Sequence, residues 1–196
     1  MSFSAIILAA GHSSRMGCFK PLLKISGKTI MEKAVVLFRD AGIQDVRVVV
    51  GHESKLLEPL LERLGARAIL NPSYDEGMFS SVLSALQSLE EGVEAFLILP
   101  VDIPLIHPRT IRHLMDLHQA QPDRILVPCF MHRHGHPVLV PYKYRDSILG
   151  WHGEGGLKGA LKQLGGMVLS VEVDDPDILI DCDTPGDYET AKTRCS

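Results

Sequence analysis

Residues 3–23 read FSAIILAAGHSSRMGCFKPLL, an apolar run followed by a glycine-bearing loop that ends in a lysine and a proline. The apolar run is short and bounded by small residues, which is typical of a strand buried in a parallel sheet. Gly11 and Gly17 permit backbone angles and close approaches that side chains forbid, and the N–H groups of such a loop can bind phosphate oxygens. Arg15 and Lys20 add positive charge. The stretch therefore predicts a nucleotide site directly after the first strand of an α/β fold.

The loop differs from a Walker P-loop, whose pattern is G-x-x-x-x-G-K-[ST]. Gly11 and Gly17 have another spacing, and Cys18 and Phe19 stand between Gly17 and Lys20. The sequence therefore indicates a different kind of triphosphate-binding loop.

Composition narrows the class of protein. The chain has 196 residues, 45% of them hydrophobic, which is enough for a substantial core in one domain over residues 1–196. Its 20 Lys and Arg against 24 Asp and Glu give a net charge of -4, which argues against binding to nucleic acid or to an anionic membrane. The 4 cysteines form no CxxC pair, and no apolar run approaches the ~20 residues of a membrane span. We expect a single-domain, cytoplasmic protein.

Strands and helices alternate along the chain. Thr29 and Glu32 have the spacing of a capping box and predict a helix that ends near Gly42. A second helix is predicted at 54–64, a third from Pro108 and a last one from near Pro185. Strands are predicted at 46–50, 66–70, 95–99, 167–173 and 178–180, while 125–140 is expected to add an antiparallel or mixed segment. This rhythm predicts an α/β fold with a mostly parallel sheet.

Two acidic segments follow predicted apolar stretches. Asp102 lies in PVDIP, residues 100–104, at the end of a strand, where open α/β sheets bind ligands. Mg²⁺ prefers oxygen ligands and is commonly held by one or two carboxylates together with substrate phosphates, so Asp102 is a metal candidate. Residues 181–187, DCDTPGD, place alternate carboxylates where one can complete the site. Without the opening loop, ordinary capping of a turn is the preferred explanation of the first segment, and in the second segment helix capping and metal binding can coexist.

Two further segments bear on binding. Residues 71–81, NPSYDEGMFSS, leave a strand through a polar turn and enter a helix whose first N–H groups can contact a base or ribose; a merely capped helix has the same pattern. Residues 132–137, HRHGHP, invite a zinc interpretation. That interpretation is disfavoured, because three histidines of one short strand seldom converge on a tetrahedral ion without ligands from elsewhere.

The opening loop resembles the MobA-like nucleotidyltransferases, which build molybdenum cofactor dinucleotides and carry L-A-A-G-x-S-x-R-M-G-x-x-K. The resemblance implies a Rossmann-like three-layer fold with a mostly parallel mixed sheet, of the nucleotide-diphospho-sugar transferase type. Ala9-Ala10-Gly11 resembles the cytidylyltransferases of the family, whereas its guanylyltransferases usually show Ala-Gly-Gly. The expected reaction is a Mg²⁺-dependent transfer of CMP from CTP to the terminal phosphate of molybdopterin.

The resemblance also assigns roles to individual residues. It implies a catalytic set of Arg15, Lys20 and Asp102, and metal ligands Asp102 and Asp183. The nucleotide-binding residues it implies are Leu8, Ala9, Ala10, Gly11, Arg15, Gly17, Lys20, Asn71, Gly77, Ser80 and Ser81. The acceptor-binding residues it implies are Gly135, His136, Pro137 and Lys158.

One segment departs from the family pattern. Cytidylyltransferase-like members usually read G-D-x-G-x-R where this chain reads GEGGLK, residues 153–158. Arg binds phosphate as a planar fork and Lys as a point charge, so Lys158 is expected to change how an acceptor phosphate is held. Three alternatives stay open: a guanylyltransferase, a sugar-phosphate nucleotidyltransferase, and a non-catalytic nucleotide-binding chaperone that escorts cofactor to a client molybdoenzyme.

Overall fold

The computed structural model describes residues 2–12 and 16–194 of the chain. The strands in these ranges are β1 (Phe3–Leu8), β2 (Lys24–Ile25), β3 (Lys28–Thr29), β4 (Asp45–Val50), β5 (Arg67–Leu70), β6 (Ala95–Pro100), β7 (Ile125–Phe130), β8 (Arg133–His134), β9 (Val138–Pro141) and β10 (Val168–Glu172). The α-helices are α1 (Ile30–Asp40), α2 (Ser54–Leu64), α3 (Met78–Ser88), α4 (Pro108–Ala120), α5 (Arg145–Leu149), α6 (Gly156–Gln163) and α7 (Pro185–Arg194).

The main sheet has the strand order β10-β7-β9-β6-β1-β4-β5, with β8 paired to β7. Strands β1, β4, β5 and β6 are parallel to their neighbours in this group, and β10 is parallel to β7. Strand β9 runs antiparallel to both β6 and β7. The sheet is therefore mixed and mostly parallel, with the antiparallel strand inside the segment 125–140 that the sequence predicts to break the alternation.

Helices cover both faces of the sheet and make three layers. Alternate side chains of β1 enter two different cores: Ile7 packs with α1, α2 and α4, while Ile6 packs with α3 and α6. All of β1 is buried, because helices cover both faces of the sheet. A strand buried on both faces is mostly apolar, and Ser4 is the one polar residue of β1. The predicted α/β, three-layer, Rossmann-like class is confirmed.

The first crossover helix begins as the sequence predicts. The Thr29 hydroxyl accepts from the N–H of Glu32, and the Glu32 carboxylate accepts from the N–H of Thr29, so the capping box is complete. Gly42, just past the helix, has φ of 101°, a backbone angle that favours glycine.

The predicted strand at 178–180 is wrong. Residues Pro176–Leu179 form a 3-10 helix instead. Pro176 suits the first position of a helical turn, and the Asp175 carboxylate accepts from the N–H of Asp177, which caps that turn. Local capping thus overrides the apolar composition of Ile178-Leu179-Ile180, and the acidic segment 181–187 follows a helical turn rather than a strand.

Candidate active site

Lys20 lies at the centre of the candidate site. It opens a 3-10 turn, Lys20–Leu22, that follows the glycine-bearing loop, and its side chain is 9% exposed. The Nζ atom is 2.7 Å from Oδ1 of Asp183 and 3.3 Å from Oδ2 of Asp102. Three charged groups that lie far apart in the sequence therefore meet at one point.

The sheet explains how the two carboxylates reach this point. Asp102 follows the end of β6, and the neighbouring N–H of Val101 donates to the carbonyl of Leu8 at the end of β1. The N–H of Cys182 donates to the carbonyl of Asp102 at 2.8 Å and so holds Asp183 beside it. Because β1 and β6 are parallel, their carboxyl ends share one edge of the sheet, which is the expected ligand edge of such folds.

The environment shifts the ionisation of this cluster. Burial raises the pKa of Asp102, the charge of Lys20 opposes that effect and the charge of Asp183 adds to it, so the pKa lies above its usual value. Burial lowers the pKa of Lys20, but its hydrogen bond with Asp183 and the charges of both carboxylates outweigh burial and raise it. Burial and the charge of Asp102 raise the pKa of the Cys182 thiol to about 12. The lysine is thus fixed as a cation, and the thiol stays protonated.

A cavity of about 590 Å³ opens above the cluster. Its wall combines the end of β1 and the loop after it, the Lys20–Leu22 turn, the loop after β6, the segment before α7 and the beginning of α3. The cavity brings together many of the sequence-predicted site residues. They are Leu8, Ala9, Ala10, Gly11, Lys20, Gly77, Ser81, Asp102 and Asp183. A site with glycine-bearing backbone, one buried cation and two carboxylates suits a phosphate ligand together with a hard cation.

Asn71 connects the turn after β5 to α3. Its side-chain amide donates to the hydroxyls of Ser80 at 2.9 Å and Ser81 at 3.0 Å, and its carbonyl accepts from the N–H of Ser73. Asn71 is 1% exposed. Ser81 lines the cavity, whereas Asn71 and Ser80 do not. Asn71 and Ser80 therefore shape the cavity wall from behind it.

Three wall residues with polar or aromatic side chains, His12, Tyr74 and Asp75, were not predicted from the sequence. His12 lies 5.3 Å from Tyr74 between ring centroids, and its Nε2 is 3.3 Å from Oδ1 of Asp75. All three line the cavity. Their position next to Gly11 and inside the turn 71–77 was the available signal, because residues adjacent to a binding loop share its surface.

A second cavity of about 680 Å³ adjoins the first, and the two share Leu8, Met78 and Pro100 in their walls. Its lining is mainly apolar, with Val82, Ile98 and Val138 among its members. Of the predicted acceptor residues, Gly135, His136 and Lys158 line this cavity, whereas Pro137 does not. Burial lowers the pKa of His136, against a hydrogen bond to the Ile98 backbone that raises it, so the imidazole is neutral at neutral pH.

Arg15 and Gly17 are the two remaining predicted residues of the opening loop. Arg15 lies outside the residues that the structure describes. Gly17 has φ of 71°, which favours glycine, and it lies outside the lining of the first cavity.

A search of the described helices for a membrane span finds none with the length and apolar character that a span needs.

The histidines of residues 132–137 do not gather into a metal cluster within the described ranges. The Nε2 of His134 instead lies 2.7 Å from the hydroxyl of Ser170. A group of possible metal ligands occurs elsewhere, at His107, Asp175 and Asp177. The buried Asp175 there accepts from the N–H of His107 and the hydroxyl of Thr110, so it ties the start of α4 to the 3-10 turn at Pro176–Leu179.

Comparison with known proteins gives relatives that cover almost the whole chain. The molybdenum cofactor cytidylyltransferase of Escherichia coli is 28% identical over 193 residues, 98% of this chain and 97% of that protein. A nucleotidyl transferase from Methanothermobacter superimposes with a TM-score of 0.83 at 24% identity, over 99% of this chain and 97% of that one. Rv0371c from Mycobacterium tuberculosis, crystallised in complex with manganese, gives a TM-score of 0.76 at 21% identity, over 98% of both chains.

The family profile of the MobA-like NTP transferase domain matches residues 5–168. That range includes the end of β1, the glycine-bearing loop, Lys20, Asp102 and most of both cavity walls. The sequence match, the shared fold and the phosphate-suited edge of the sheet agree, and the chain therefore belongs to the MobA-like NTP transferase family and is a nucleotidyltransferase.

Proposed function

We propose that this protein transfers CMP from CTP to the terminal phosphate of molybdopterin and releases pyrophosphate. The observation that carries the proposal is the meeting of Lys20, Asp102 and Asp183 in a polar cavity that is continuous with a mainly apolar one. The polar cavity suits a nucleoside triphosphate, and the apolar cavity suits the ring system of a second substrate. The 28% identity with the Escherichia coli cytidylyltransferase supports the same pair of substrates.

In the proposed reaction, an oxygen of the acceptor phosphate attacks the α-phosphorus of CTP in line. The bond between the α-phosphorus and the oxygen that bridges to the β-phosphorus breaks, and pyrophosphate leaves with the electron pair. No protein nucleophile is needed, so the chain positions the substrates and stabilises charge. Lys20 binds triphosphate oxygens, and the backbone of Gly11 adds N–H donors in the same cavity wall. Arg15 is assigned to the same triphosphate by its place in the loop.

Asp102 and Asp183 are the proposed ligands of Mg²⁺. The residues fit the ion, because two carboxylates from separate segments already converge on one cationic group, the Lys20 ammonium. When bound, Mg²⁺ would act as a Lewis acid that neutralises charge on phosphate oxygens.

The base and the acceptor are assigned to opposite ends of the combined cavity. Ala9 and Ala10 line the first cavity together with His12 and Tyr74, and we assign the base of CTP to this part of the wall. Lys158, on α6, borders the second cavity and supplies positive charge for the acceptor phosphate. Because an ammonium binds phosphate as a point charge, this contact fixes orientation less strictly than an arginine fork does.

Mass spectrometry of the products tests the proposal. Purified protein is incubated with Mg²⁺ and molybdopterin and with CTP, GTP or ATP separately. We expect a CMP adduct of the pterin with CTP, loss of that product in the Lys20→Met variant, and retention in Lys24→Met, which removes an exposed lysine nearby. A GMP adduct would instead establish the guanylyl branch. Nucleotide binding with no adduct, by protein shown to be folded, would support the chaperone alternative.

A further inference from the structure

We propose that Lys20 is a built-in cation that competes with the divalent metal for Asp102 and Asp183, and that a triphosphate opens the metal site by drawing the lysine away. The protein alone would then bind a divalent cation weakly, and nucleotide and metal would bind together. This inference rests on the proposed function for the location of the triphosphate, and it adds an interdependence of the two ligands.

The geometry places the ammonium between the carboxylates. Nζ of Lys20 contacts one oxygen of each, at 2.7 Å for Asp183 and 3.3 Å for Asp102. The side chain of Lys20 is 9% exposed, against 22% for Asp102 and 34% for Asp183, so the lysine side chain is packed into the protein up to the point where its ammonium bridges the two carboxylates. A metal ligated by both carboxylates would have to share their oxygens with a charge that is already in place.

Electrostatics makes the two cations compete at close range. Two partly buried carboxylates repel each other and need positive charge nearby, and Lys20 supplies it. A divalent ion added beside the ammonium would be attracted by two negative charges but repelled by a positive one at contact distance. The net gain from binding the ion is therefore small as long as Lys20 keeps its position.

A triphosphate offers Lys20 another partner. Lys20 lies in the wall of the first cavity together with Gly11 and His12, so its ammonium can reach a ligand there by a rotamer change. The lysine stem is flexible and its ammonium has three donors, which suits such an exchange between carboxylate and phosphate. Binding of the nucleotide then frees both aspartates for the metal, and by linkage the metal strengthens nucleotide binding by the same factor.

The test measures Mn²⁺ binding without nucleotide or acceptor, by electron paramagnetic resonance of free Mn²⁺ at constant pH. The Lys20→Met variant should bind Mn²⁺ at least about tenfold more tightly than the wild type, a factor typical of coupling between sites. Lys20→Gln keeps a hydrogen-bond donor for both carboxylates and so preserves their packing, and we expect a gain in the same direction. Lys24→Met should match the wild type, because Lys24 is exposed.

Adding Asp102→Asn to Lys20→Met should remove the gain, which would locate the ion at these carboxylates. Mn²⁺ binding by folded Lys20→Met or Lys20→Gln that equals or falls below the wild-type level would overturn the inference. The outcome is independent of the reaction, because no substrate is present. A protein that forms no pterin adduct can still show the gain, and an active transferase can fail to show it.

Discussion

At the scale of single residues, Asp102 holds the most demanding position in the site. Its carboxylate is largely desolvated, which raises its pKa, and it lies beside a second carboxylate and one lysine. A group kept in so unfavourable a setting is typical of a functional site, where burial and charge partners tune side-chain chemistry. Its side chain points to the cavity edge rather than into either hydrophobic core.

Replacement of Asp102 by Asn therefore tests function with little change in volume. We expect the rate of nucleotidyl transfer to fall by about 10²–10³, the usual loss when one charge-stabilising group is removed from an active site. The rate is measured as pyrophosphate release, and folding by circular dichroism. Asp146→Asn is the matched control, since the Asp146 side chain is 86% exposed, and it should leave the rate unchanged. Wild-type rates in folded Asp102→Asn would remove Asp102 from the mechanism.

We expect His118 to contribute to the acid sensitivity of the fold. It is 4% exposed, lies edge-on to Phe3 with 5.7 Å between ring centroids, and its Nδ1 has no hydrogen-bond partner among the described residues. Burial lowers its pKa, against the opposing charges of Glu94 and Asp123. His118 of the unfolded chain therefore takes up a proton at higher pH than His118 of the folded chain. The stability that neutral His118 contributes is fully present above the ordinary pKa of 6.5 and is lost as pH falls toward the lower pKa of the folded state.

The corresponding variant is His118→Phe. We expect its free energy of unfolding in urea to fall less between about pH 7.5 and about pH 5.5 than that of the wild type, because one proton-linked group is gone. His152→Gln, at an exposed position, should keep the wild-type slope. Equal slopes for His118→Phe and the wild type would show that His118 is not linked to acid unfolding.

For the candidate site, the sequence predicted which charged side chains take part better than it predicted which of them contact each other. Lys20 was singled out as a cation of the glycine-bearing loop and Asp102 as a carboxylate at the end of a strand, while the choice of Asp183 came from the family resemblance. Their direct contact was not predicted, because pairing depends on the hydrogen bond from Cys182 to Asp102, which brings the late segment to the early one. His12 and Tyr74 were missed, since their types alone carry no signal of a ring contact.

Among the helices and strands, α1 has the clearest sequence signal for where it begins. Its capping box fixes the start of the helix directly after the β2–β3 hairpin. The Lys20–Leu22 turn packs near this helix, and the N–H of Ile30 donates to the carbonyl of Leu23 at 2.8 Å. The cap therefore helps to position the segment that begins with Lys20.

Thr29→Ala should destabilise the protein by about 0.5–2 kcal/mol, because the N–H of Glu32 loses its acceptor. Urea unfolding measures the loss. Thr29→Ser retains the hydroxyl and should recover most of it, which separates the cap from the methyl packing of a threonine that is 8% exposed. An equal loss in both variants would argue that packing, and not capping, stabilises this end of the helix.

Helices with a strong local sequence pattern were predicted well. A segment whose conformation depends on hydrogen bonds from adjacent residues was not. Helix α2 occupies the predicted residues, because its apolar positions recur at helical spacing and Gly65 follows it with φ of 62°. The short apolar segment 178–180 fits strand and helix equally, and the cap from Asp175 decided for a 3-10 turn. Periodicity alone does not separate such short runs.

At the scale of the whole molecule, the mixed sheet creates the combined cavity. The parallel strands β1 and β6 bring the glycine-bearing loop and Asp102 to one edge. The antiparallel strand β9 lies beside β6 and contributes Val138 to the wall of the second cavity. The sheet thus places a polar, phosphate-suited cavity next to a mainly apolar one.

Transfer of the nucleotidyl group from CTP is tested by following each phosphorus of CTP into the products. CTP carrying radioactive phosphorus at either the α or the γ position is incubated with the protein, Mg²⁺ and molybdopterin. We expect the α-label in the pterin product and the γ-label in pyrophosphate alone. In Asp102→Asn, we expect both labelled products to fall sharply. Label from the γ position in the pterin, or none from either, would contradict the account.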